Sequence, residues 1–305
     1  MKKVGILTFH RADNYGAALQ TYGLKMACEK LGCDVQVIDY RPQYIENQYK
    51  YFTLSRSVKK NIINLLNFKS NLSKRKKFAA FRKKYMDMAE FEGNQTCYDT
   101  IFYGSDQIWN PNIKGGFDEV FFASHNVKAN KHCAYAASIG KSEFTQSEQT
   151  DFSHLLGKMD KVSLREKSSL ELIPESLKDK TQVVLDPTVL NSKEQWQKIA
   201  QTAKGLPEKF IFVYQVARYP EVIKIANELS KKTGLPVVEL LYTKTSLKSG
   251  HRIINDIGPC EFIDIIQRAS YVVTSSFHGT AFSVIFKKQF YTVLHKTYGS
   301  RMVTF

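Results

Sequence analysis

Residues 271–286 read YVVTSSFHGTAFSVIF, and this stretch predicts the basic unit of the fold. Its first residues are apolar or β-branched, as in a buried strand, and two serines then end the apolar run. Apolar residues resume at Phe277 in a segment that predicts a helix. A buried strand that turns directly into a buried helix is typical of α/β proteins with parallel sheets.

The turn between this strand and this helix has the chemistry of a ligand site. Helix N-termini offer free N–H groups and a partial positive charge, which favour a bound phosphate or carboxylate. Gly279 permits a tight turn and the close approach of a ligand, and His278 could act as a general acid or base near neutral pH. The residues alone leave open the alternative that His278 is hydrogen-bonded inside the core beside a capped helix.

The same pattern of strand, turn and helix recurs in both halves of the chain. Residues 4–9 predict a buried strand, residues 17–30 an amphipathic helix and residues 34–39 a second strand. Residues 209–216 begin a further β-α-β set. We therefore expect two doubly wound domains with parallel sheets and a cleft between them, where ligands bind beyond the carboxyl ends of the strands.

The length of 305 residues is sufficient for two domains of ordinary size. A polar stretch from about residue 191 to 209 predicts the boundary, which gives an N-terminal domain of residues 1–195 and a C-terminal domain of residues 205–305. A basic helical insertion at about residues 45–90 interrupts the first domain. The sequence stops without an obvious helix to finish the second sheet, so we expect the second domain to be incomplete.

Polar residues that follow predicted strands are the other site candidates. Arg165 ends a short strand, and its planar guanidinium could clamp a carboxylate or a phosphate. The alternative for Arg165 is an ion pair with a nearby acid such as Glu166. Asp106, in the stretch YGSDQIWN, could act as a base or accept a hydrogen bond from a sugar hydroxyl. It could equally be the turn residue that its Gly-Ser-Asp setting favours.

Several kinds of site lack their signatures in this sequence. The five cysteines are scattered, without the spacing of metal ligands, so no metal is expected. The first loop, DNYGAALQTY, lacks the three spaced glycines of a dinucleotide fingerprint, and there is no P-loop, so no cofactor is expected. The apolar run at the N-terminus is too short for a signal peptide, and we expect a cytoplasmic protein.

The net charge of +15 is unevenly distributed along the chain. Residues 50–84 hold many Lys and Arg residues and no acidic residue, and apolar residues alternate with these cations. This pattern fits a surface that contacts an anionic membrane or another polyanion. The alternative is a solvated pair of helices whose apolar side packs on the domain, and the two interpretations are compatible.

Six motifs together resemble the polysaccharide pyruvyl transferase family. In order they are DNYGAALQTY, YGSDQIWNP, AYAASIG, SLREKS, VLDPTVL and VTSSFHGTAFSVIF, and they span nearly the whole chain. The resemblance implies a GT-B-like architecture, with two Rossmann-like domains around a central cleft. It also implies transfer of the pyruvyl unit of phosphoenolpyruvate to a sugar, as a ketal, without a metal or a nucleotide cofactor.

The resemblance also implies roles for individual residues. His278 corresponds to the catalytic histidine of the family, and Arg165 to the arginine that binds phosphoenolpyruvate. In some members an Arg-Leu-His triplet stands where this chain has Ser276-Phe277-His278, so one cationic contact is missing here. The further substrate-binding positions implied by the resemblance are Ser276, Phe277 and Gly279 on the donor side, and Asp106, Asn14, Tyr15 and Gly16 on the acceptor side.

The expected partners are phosphoenolpyruvate and a glycan acceptor, and no nucleic acid. Acceptors in such pathways are often attached to a polyprenyl carrier at the inner membrane face, which residues 50–84 would contact peripherally. Within the same fold, the alternative is a glycosyltransferase that uses a nucleotide sugar and places a carboxylate such as Glu261 or Asp264 on the ribose. A non-catalytic binder of membranes or polyanions would leave the polar strand ends in both halves unexplained. The oligomeric state stays open.

Overall fold

The structure is a computed structural model that describes residues 1–49, 58–216, 218–241 and 250–294, without the side chains of residues 58–60, 63 and 64. The described residues form two compact units. Unit 1 consists of residues 1–49 and 82–191, and unit 2 of the described residues within 58–81 and 192–294. Each unit contains a five-stranded parallel sheet, which confirms the predicted α/β class with parallel sheets.

The described elements up to residue 191 are short strands and helices. In chain order they are β1 (Lys3–Leu7), α1 (Tyr15–Lys30), β2 (Asp34–Asp39), α2 (Gln43–Gln48), α3 (Val58–Tyr85), β3 (Met88–Glu90), β4 (Cys97–Tyr98), β5 (Thr100–Tyr103), α4 (Pro111–Lys114), β6 (Lys128–Ala129), β7 (His132–Ala134), α5 (Gln146–Leu156), β8 (Val162–Leu164) and β9 (Thr181–Val183). Four 3-10 helices lie at Glu119–Phe122, Lys167–Leu172, Glu175–Lys180 and Pro187–Leu190.

The remaining elements belong to unit 2. They are α6 (Lys193–Gln197), β10 (Ile211–Tyr214), α7 (Pro220–Thr233), β11 (Val237–Leu240), β12 (Arg252–Ile254), α8 (Pro259–Arg268), β13 (Tyr271–Thr274), α9 (Phe277–Ile285) and β14 (Gln289–Thr292). The predicted strand and helix in residues 271–286 are thus β13 and α9. The change from unit 1 to unit 2 at Ser192 lies within the polar stretch of about residues 191–209.

The sheet of unit 1 has the strand order β3-β2-β1-β5-β7, and every neighbouring pair is parallel. The central strand β1 pairs Ile6 with Val37 on one side and with Phe102 on the other. Strands β8 and β9 form a separate parallel pair. Backbone bridges from Cys133 to Lys161 and from Ala137 to Leu164 align this pair with β7. The carboxyl ends of β5, β7, β8 and β9 therefore face the same way.

The sheet of unit 2 has the strand order β12-β11-β10-β13-β14, again with parallel neighbours. All four residues of the central strand β10 are buried, as expected for a parallel sheet that is covered on both faces. Val213 packs in a cluster with Val222 and Ala226 of α7. Tyr214 packs edge-on against Phe262 of α8, with ring centroids 4.9 Å apart.

The predicted basic insertion folds as the short helix α2 and the 28-residue helix α3. Residues 50–57 of this predicted segment lie outside the described residues. Residues 58–81 of α3 belong to unit 2, although the sequence places them between strands of unit 1. Polar contacts within unit 2 include Lys77 Nζ to Glu261 Oε1 at 2.7 Å. Among the described residues, no helix is both long and apolar enough to cross a membrane.

Candidate functional site

The turn that holds His278 is tied to the central strand of unit 2. The Thr274 hydroxyl donates to the carbonyl oxygen of Tyr214 at 2.6 Å and accepts the N–H of Ser276 at 3.0 Å. Ser276 is the N-cap of α9, because its hydroxyl oxygen accepts the N–H of Gly279. His278 follows on the first turn of the helix and is 8% exposed. The turn is therefore a rigid link between β13 and α9 at the carboxyl edge of the sheet.

The neighbours of His278 have packing and capping roles in this turn. The Phe277 ring meets the His278 ring edge-on, with centroids 5.2 Å apart. A Cβ atom on Gly279 would lie 2.3 Å from Thr274 Oγ1, so close packing against β13 requires a glycine here. Ser276, which replaces the arginine found in some family members, uses its side chain for the cap. Substrate contacts by these three residues stay predictions.

The buried polar atoms of this edge also include Ser275 Oγ, which has no hydrogen-bond partner among the described residues. Buried hydroxyls are almost always hydrogen-bonded in folded proteins. Ser275 directly precedes the N-cap of α9, a helix terminus that favours anions. Its unsatisfied hydroxyl therefore marks this turn as a place where a polar ligand would complete the hydrogen bonding.

Arg165 follows β8 in unit 1 and lies in a buried network of acids and hydroxyls. Its Nε atom donates to Glu166 Oε1 at 3.2 Å, and its Nη1 atom donates to Asp186 Oδ2 at 3.1 Å. The Ser105 hydroxyl donates to the same Asp186 oxygen at 3.0 Å, and the Ser138 hydroxyl donates to Glu166 Oε1 at 2.7 Å. The network thus joins residues that follow β5, β7, β8 and β9. It confirms the ion pair with Glu166 that the sequence left open.

The charges of this network hold Arg165 in its protonated form. Burial lowers the pKa of Arg165, but the neighbouring carboxylates of Glu166, Asp186 and Asp106 raise it above its usual value overall. The Arg165 guanidinium is therefore hydrogen-bonded to two carboxylates, and the formal charges of the three groups add up to −1. Binding of a substrate anion by Arg165 stays a prediction.

The other predicted residues of unit 1 lie in turns and helix caps. Asp106 has a positive φ of 70°, and its side chain accepts the N–H of Gln107 at 2.9 Å, as expected of the turn residue considered above. Asn14 caps α1 by accepting the N–H of Ala17 at 3.2 Å. Tyr15 and Gly16 are buried in the first turn of α1. Their predicted contacts with an acceptor stay predictions.

Two polar clusters were not predicted from the sequence. In unit 1, Asp39 at the end of β2 contacts His10 Nε2 at 2.9 Å and also binds Arg11. In unit 2, the buried Glu239 of β11 accepts from Gln215 Nε2 at 3.2 Å and contacts His251 Nδ1 at 3.1 Å. The available signals were an acid at the end of the strand DVQVID and an acid inside the apolar run LPVVELLY.

The fold and the position of these residues define the class of protein. Two α/β units, each with a parallel sheet, are the components expected of a GT-B-like fold. A family model described as polysaccharide pyruvyl transferase matches residues 14–297. The chain therefore belongs to the polysaccharide pyruvyl transferase family, a family of transferases, and the resemblance inferred from the six motifs is confirmed. Among curated protein sequences, none matches this chain.

Comparison with solved structures supports the GT-B-like fold. The chain is similar to the UDP-GlcNAc 2-epimerase of Methanocaldococcus jannaschii, with 12% identity and a TM-score of 0.51 over 99% of this chain and 86% of that one. It is also similar to a putative UDP-N-acetylglucosamine 2-epimerase of Listeria monocytogenes, with 11% identity and a TM-score of 0.51 over 99% of this chain and 81% of that one. At such identities the similarity concerns the fold alone.

Proposed function

We propose that this transferase moves the pyruvyl group of phosphoenolpyruvate to a sugar of a cell-surface glycan, forming a ketal and releasing phosphate. Family membership supports the proposal. The observation that carries it is the position of His278 in the capped first turn of α9, at the carboxyl end of the unit 2 sheet. An anion bound at that helix N-terminus would lie beside a group able to transfer a proton.

In the proposed reaction, His278 donates a proton to the methylene carbon of the donor. Positive charge develops at the neighbouring carbon, which carries the phosphate oxygen, and a sugar hydroxyl forms a C–O bond there while its proton returns to His278. A second hydroxyl of the sugar forms the other C–O bond as the bond to the phosphate oxygen breaks. Phosphate leaves with that electron pair and takes up the proton of the second hydroxyl. We propose that no metal or cofactor takes part in these reaction steps.

The donor carries a phosphate and a carboxylate, and we propose that the start of α9 binds one of them. N–H groups in the first turn of a helix lack intrahelical acceptors, and the helix dipole favours an anion there. The buried hydroxyl of Ser275 would donate a further hydrogen bond to the same group. For Arg165 we propose a positioning role, because its guanidinium fixes Glu166 and Asp186 at the strand ends of unit 1.

The alternative is a glycosyltransferase that uses a nucleotide sugar, as the structural neighbours are enzymes of UDP-linked sugars. The acids considered for ribose recognition already have partners within unit 2. Glu261 accepts the N–H of Gly258 at 3.1 Å and pairs with Lys77 at 2.7 Å. Asp264 Oδ2 accepts the N–H of Ala203 at 2.9 Å. These contacts favour structural roles for both acids and therefore the pyruvyl transferase.

Thermal unfolding with different ligands tests the proposed donor. A ligand that binds the native state stabilises it by RT ln(1 + [L]/Kd), about 2.7 kcal/mol at 100 times Kd. We expect phosphoenolpyruvate to raise the Tm more than inorganic phosphate or UDP-GlcNAc does. Ser275→Ala should weaken this shift while leaving the unliganded Tm unchanged or higher, because it removes a hydroxyl that has no hydrogen-bond partner in the described structure.

Ser283→Ala is the matched control for Ser275→Ala. The Ser283 hydroxyl is buried in α9, the helix that follows Ser275, and donates to the carbonyl oxygen of Gly279 at 2.7 Å. Its loss should lower the unliganded Tm and leave the shift caused by phosphoenolpyruvate unchanged. A shift with UDP-GlcNAc and none with phosphoenolpyruvate would reject the proposed donor and favour the glycosyltransferase.

For the acceptor, we propose a glycan carried on a lipid, which the protein would meet from the cytoplasmic side of a membrane. The charge of residues 50–84 supports contact with an anionic surface. Incubation of the protein with phosphoenolpyruvate and a panel of lipid-linked sugars tests the acceptor, with release of phosphate as the measured signal. Release with free sugars alone would argue against a lipid-linked acceptor.

A further inference from the structure

Helix α3 has the reverse of the usual amphipathic arrangement in its first half. Among the side chains that the structure describes between residues 62 and 74, the buried ones are polar, namely Asn67, Asn71 and Lys74. Apart from Lys69, the exposed side chains described in the same turns are large and apolar: Ile62 (53% exposed), Leu65 (71%), Leu66 (77%), Phe68 (49%) and Leu72 (41%). Ordinary surface helices bury their apolar side and expose their polar side. Here the apolar side faces away from unit 2.

Hydrogen bonds fix this orientation of the helix. The side-chain amide of Asn255, at the carboxyl end of β12, donates to Asn67 Oδ1 at 2.9 Å and to Ser70 Oγ at 3.0 Å. Two turns beyond Ser70, Lys77 pairs with Glu261 of α8 at 2.7 Å. Rotating the helix to bury its leucines would break these polar contacts and leave the buried amides of Asn67 and Asn255 without each other as partners, which is unfavourable. The exposed apolar face is therefore a fixed feature of unit 2.

Cations lie on the same side of α3 as the apolar residues. Residues spaced by three, four or seven positions share a helix face, and this relation links Leu65, Lys69, Leu72, Lys76 and Lys83. The three lysines are exposed. The helix sequence contains no acidic residue. The outward face is thus mainly apolar over about 15 Å of helix between residues 62 and 72, where Lys69 is its one described lysine, and it continues with Lys76 and Lys83.

We propose that this face of α3 docks on an anionic lipid bilayer, with its leucines, Ile62 and Phe68 inserted among the acyl chains and its lysines at the headgroups. Amphipathic helices that lie in a membrane interface combine apolar and cationic side chains in this way. A second copy of the chain is a poor partner, because two such faces in contact would bring lysines close to lysines, and α3 has no acidic residue to pair with them. A nucleic acid would match the lysines and leave the apolar side chains in water.

A tryptophan placed on the proposed docking face tests insertion directly. Both native tryptophans, Trp109 and Trp196, are fully buried, so the emission of Leu66→Trp reports the exposed face of α3. Vesicles of phosphatidylcholine with phosphatidylglycerol should shift this emission to the blue and protect it from acrylamide. Vesicles of phosphatidylcholine alone should do so far less, because each lysine near an anionic surface contributes to binding. No shift with either vesicle would overturn the proposal.

Vesicle sedimentation with paired variants separates the apolar and electrostatic contributions. Leu65→Ser with Leu66→Ser should reduce partitioning at least tenfold, because each removes apolar area from the inserted face. Lys69→Glu with Lys76→Glu should reduce it at least tenfold on anionic vesicles, with a smaller loss at high salt. The control Lys231→Glu with Lys232→Glu makes the same charge change on exposed residues of α7 and should partition like the wild type.

The outcome of both vesicle experiments does not depend on the proposed reaction, since membrane binding is measured without any substrate. Equal losses in the α3 and α7 lysine pairs would mean that net charge alone attracts the protein, which overturns the inference. Dissociation of a dimer by the leucine pair, seen by analytical ultracentrifugation without vesicle binding by the wild type, would overturn it in favour of a second copy. If phosphoenolpyruvate fails to bind while Leu66→Trp inserts, the proposed function falls and the membrane site stands.

Discussion

Arg165 Nη1 lies 3.1 Å from Asp186 Oδ2, and neither side chain is more than 2% exposed. Asp186 also accepts the N–H of Thr188 at 3.0 Å and so caps the 3-10 helix Pro187–Leu190. The residue after that helix, Asn191, donates from Nδ2 to the carbonyl oxygen of Gly23 in α1 at 2.8 Å. The ion pair therefore holds the strand ends of unit 1, and through this helix it connects them to α1.

Arg165→Ala should strongly destabilise the protein. Removing one partner of a buried ion pair leaves an uncompensated charge and typically costs about 3–5 kcal/mol of the free energy of unfolding. Urea unfolding of the wild type and the variant measures this loss. The control is Arg268→Ala, which breaks the 3.3 Å pair with Asp264 at a site where the arginine is 31% exposed. We expect that variant to lose about 1 kcal/mol or less.

Equal losses in the two variants would contradict a structural role for the pair of Arg165 and Asp186. The expected loss also affects how donor binding is studied. A reduced response of Arg165→Ala to phosphoenolpyruvate has meaning only after the change in unliganded stability is subtracted. Ser275→Ala avoids this difficulty, because it removes a hydroxyl that has no hydrogen-bond partner among the described residues.

Gly279→Ala should destabilise unit 2 although alanine is the better helix former. The new Cβ would lie 2.3 Å from Thr274 Oγ1 and 3.1 Å from Tyr214 Cδ1, so β13 and α9 would have to separate. Overpacking of this kind typically costs about 1–3 kcal/mol. A double-mutant cycle with Thr274→Ala isolates the clash by urea unfolding. The double variant should be less destabilised than the sum of the single variants, and strict additivity would contradict the clash.

The sequence predicted local units well because each of them is defined by short-range patterns. The strand, the turn and the helix in residues 271–286 are β13, a polar turn and α9. Asn14 before α1 has the residue type and position of an N-cap, and it caps that helix. The six motifs were sufficient for the family, because they occur in order and are distributed along nearly the whole chain.

Long-range contacts could not be predicted in the same way. Arg165 was expected to bind an anion, and its pairing with Asp186 depends on the alignment of β8 with β9, which residue patterns do not specify. The inward side of α3 is another example, since Asn67 faces Asn255, 188 positions away in the chain. A hydrophobic pattern predicts that apolar residues turn inward, and here the polar contacts decide the opposite orientation.

The stability of unit 1 should fall at acid pH because of His125. The Tyr103 hydroxyl lies 2.8 Å from His125 Nε2 and 2.7 Å from His132 Nδ1. Burial, and then the neighbouring His132, lowers the pKa of His125 to about 4. In the unfolded chain the pKa of a histidine is about 6.5, so between these values the unfolded state binds more protons. Stability is therefore complete above that range and is lost as the pH falls towards 4.

His125→Gln should reduce this pH dependence, because glutamine can keep a hydrogen bond to Tyr103 and does not titrate. We expect the wild type to lose roughly 2 kcal/mol more free energy of unfolding than the variant does between pH 7 and pH 4.5. Urea unfolding at both values measures the difference. His154→Gln is the control, since His154 is exposed on α5. Parallel pH curves for the wild type and His125→Gln would refute the assignment to His125.

His278→Gln should abolish transfer without unfolding the protein. Glutamine is close to histidine in size and cannot donate a proton as an acid, so the loss of general acid catalysis should lower kcat about 10²–10⁴-fold. Phosphate release from phosphoenolpyruvate in the presence of a glycan acceptor measures kcat and KM. Because the start of α9 and Ser275 would still bind the donor, KM should change far less than kcat.

The exposed His154→Gln again serves as the matched control and should retain wild-type kcat. Unfolding in urea shows whether His278→Gln keeps its native stability, which separates a chemical role from a structural one. If the variant is stable and keeps its kcat, His278 is not the acid and the proton reaches the donor by another route. If it is unstable and its activity falls in proportion to the fraction unfolded, His278 is a core residue, the alternative that the turn allowed from the beginning.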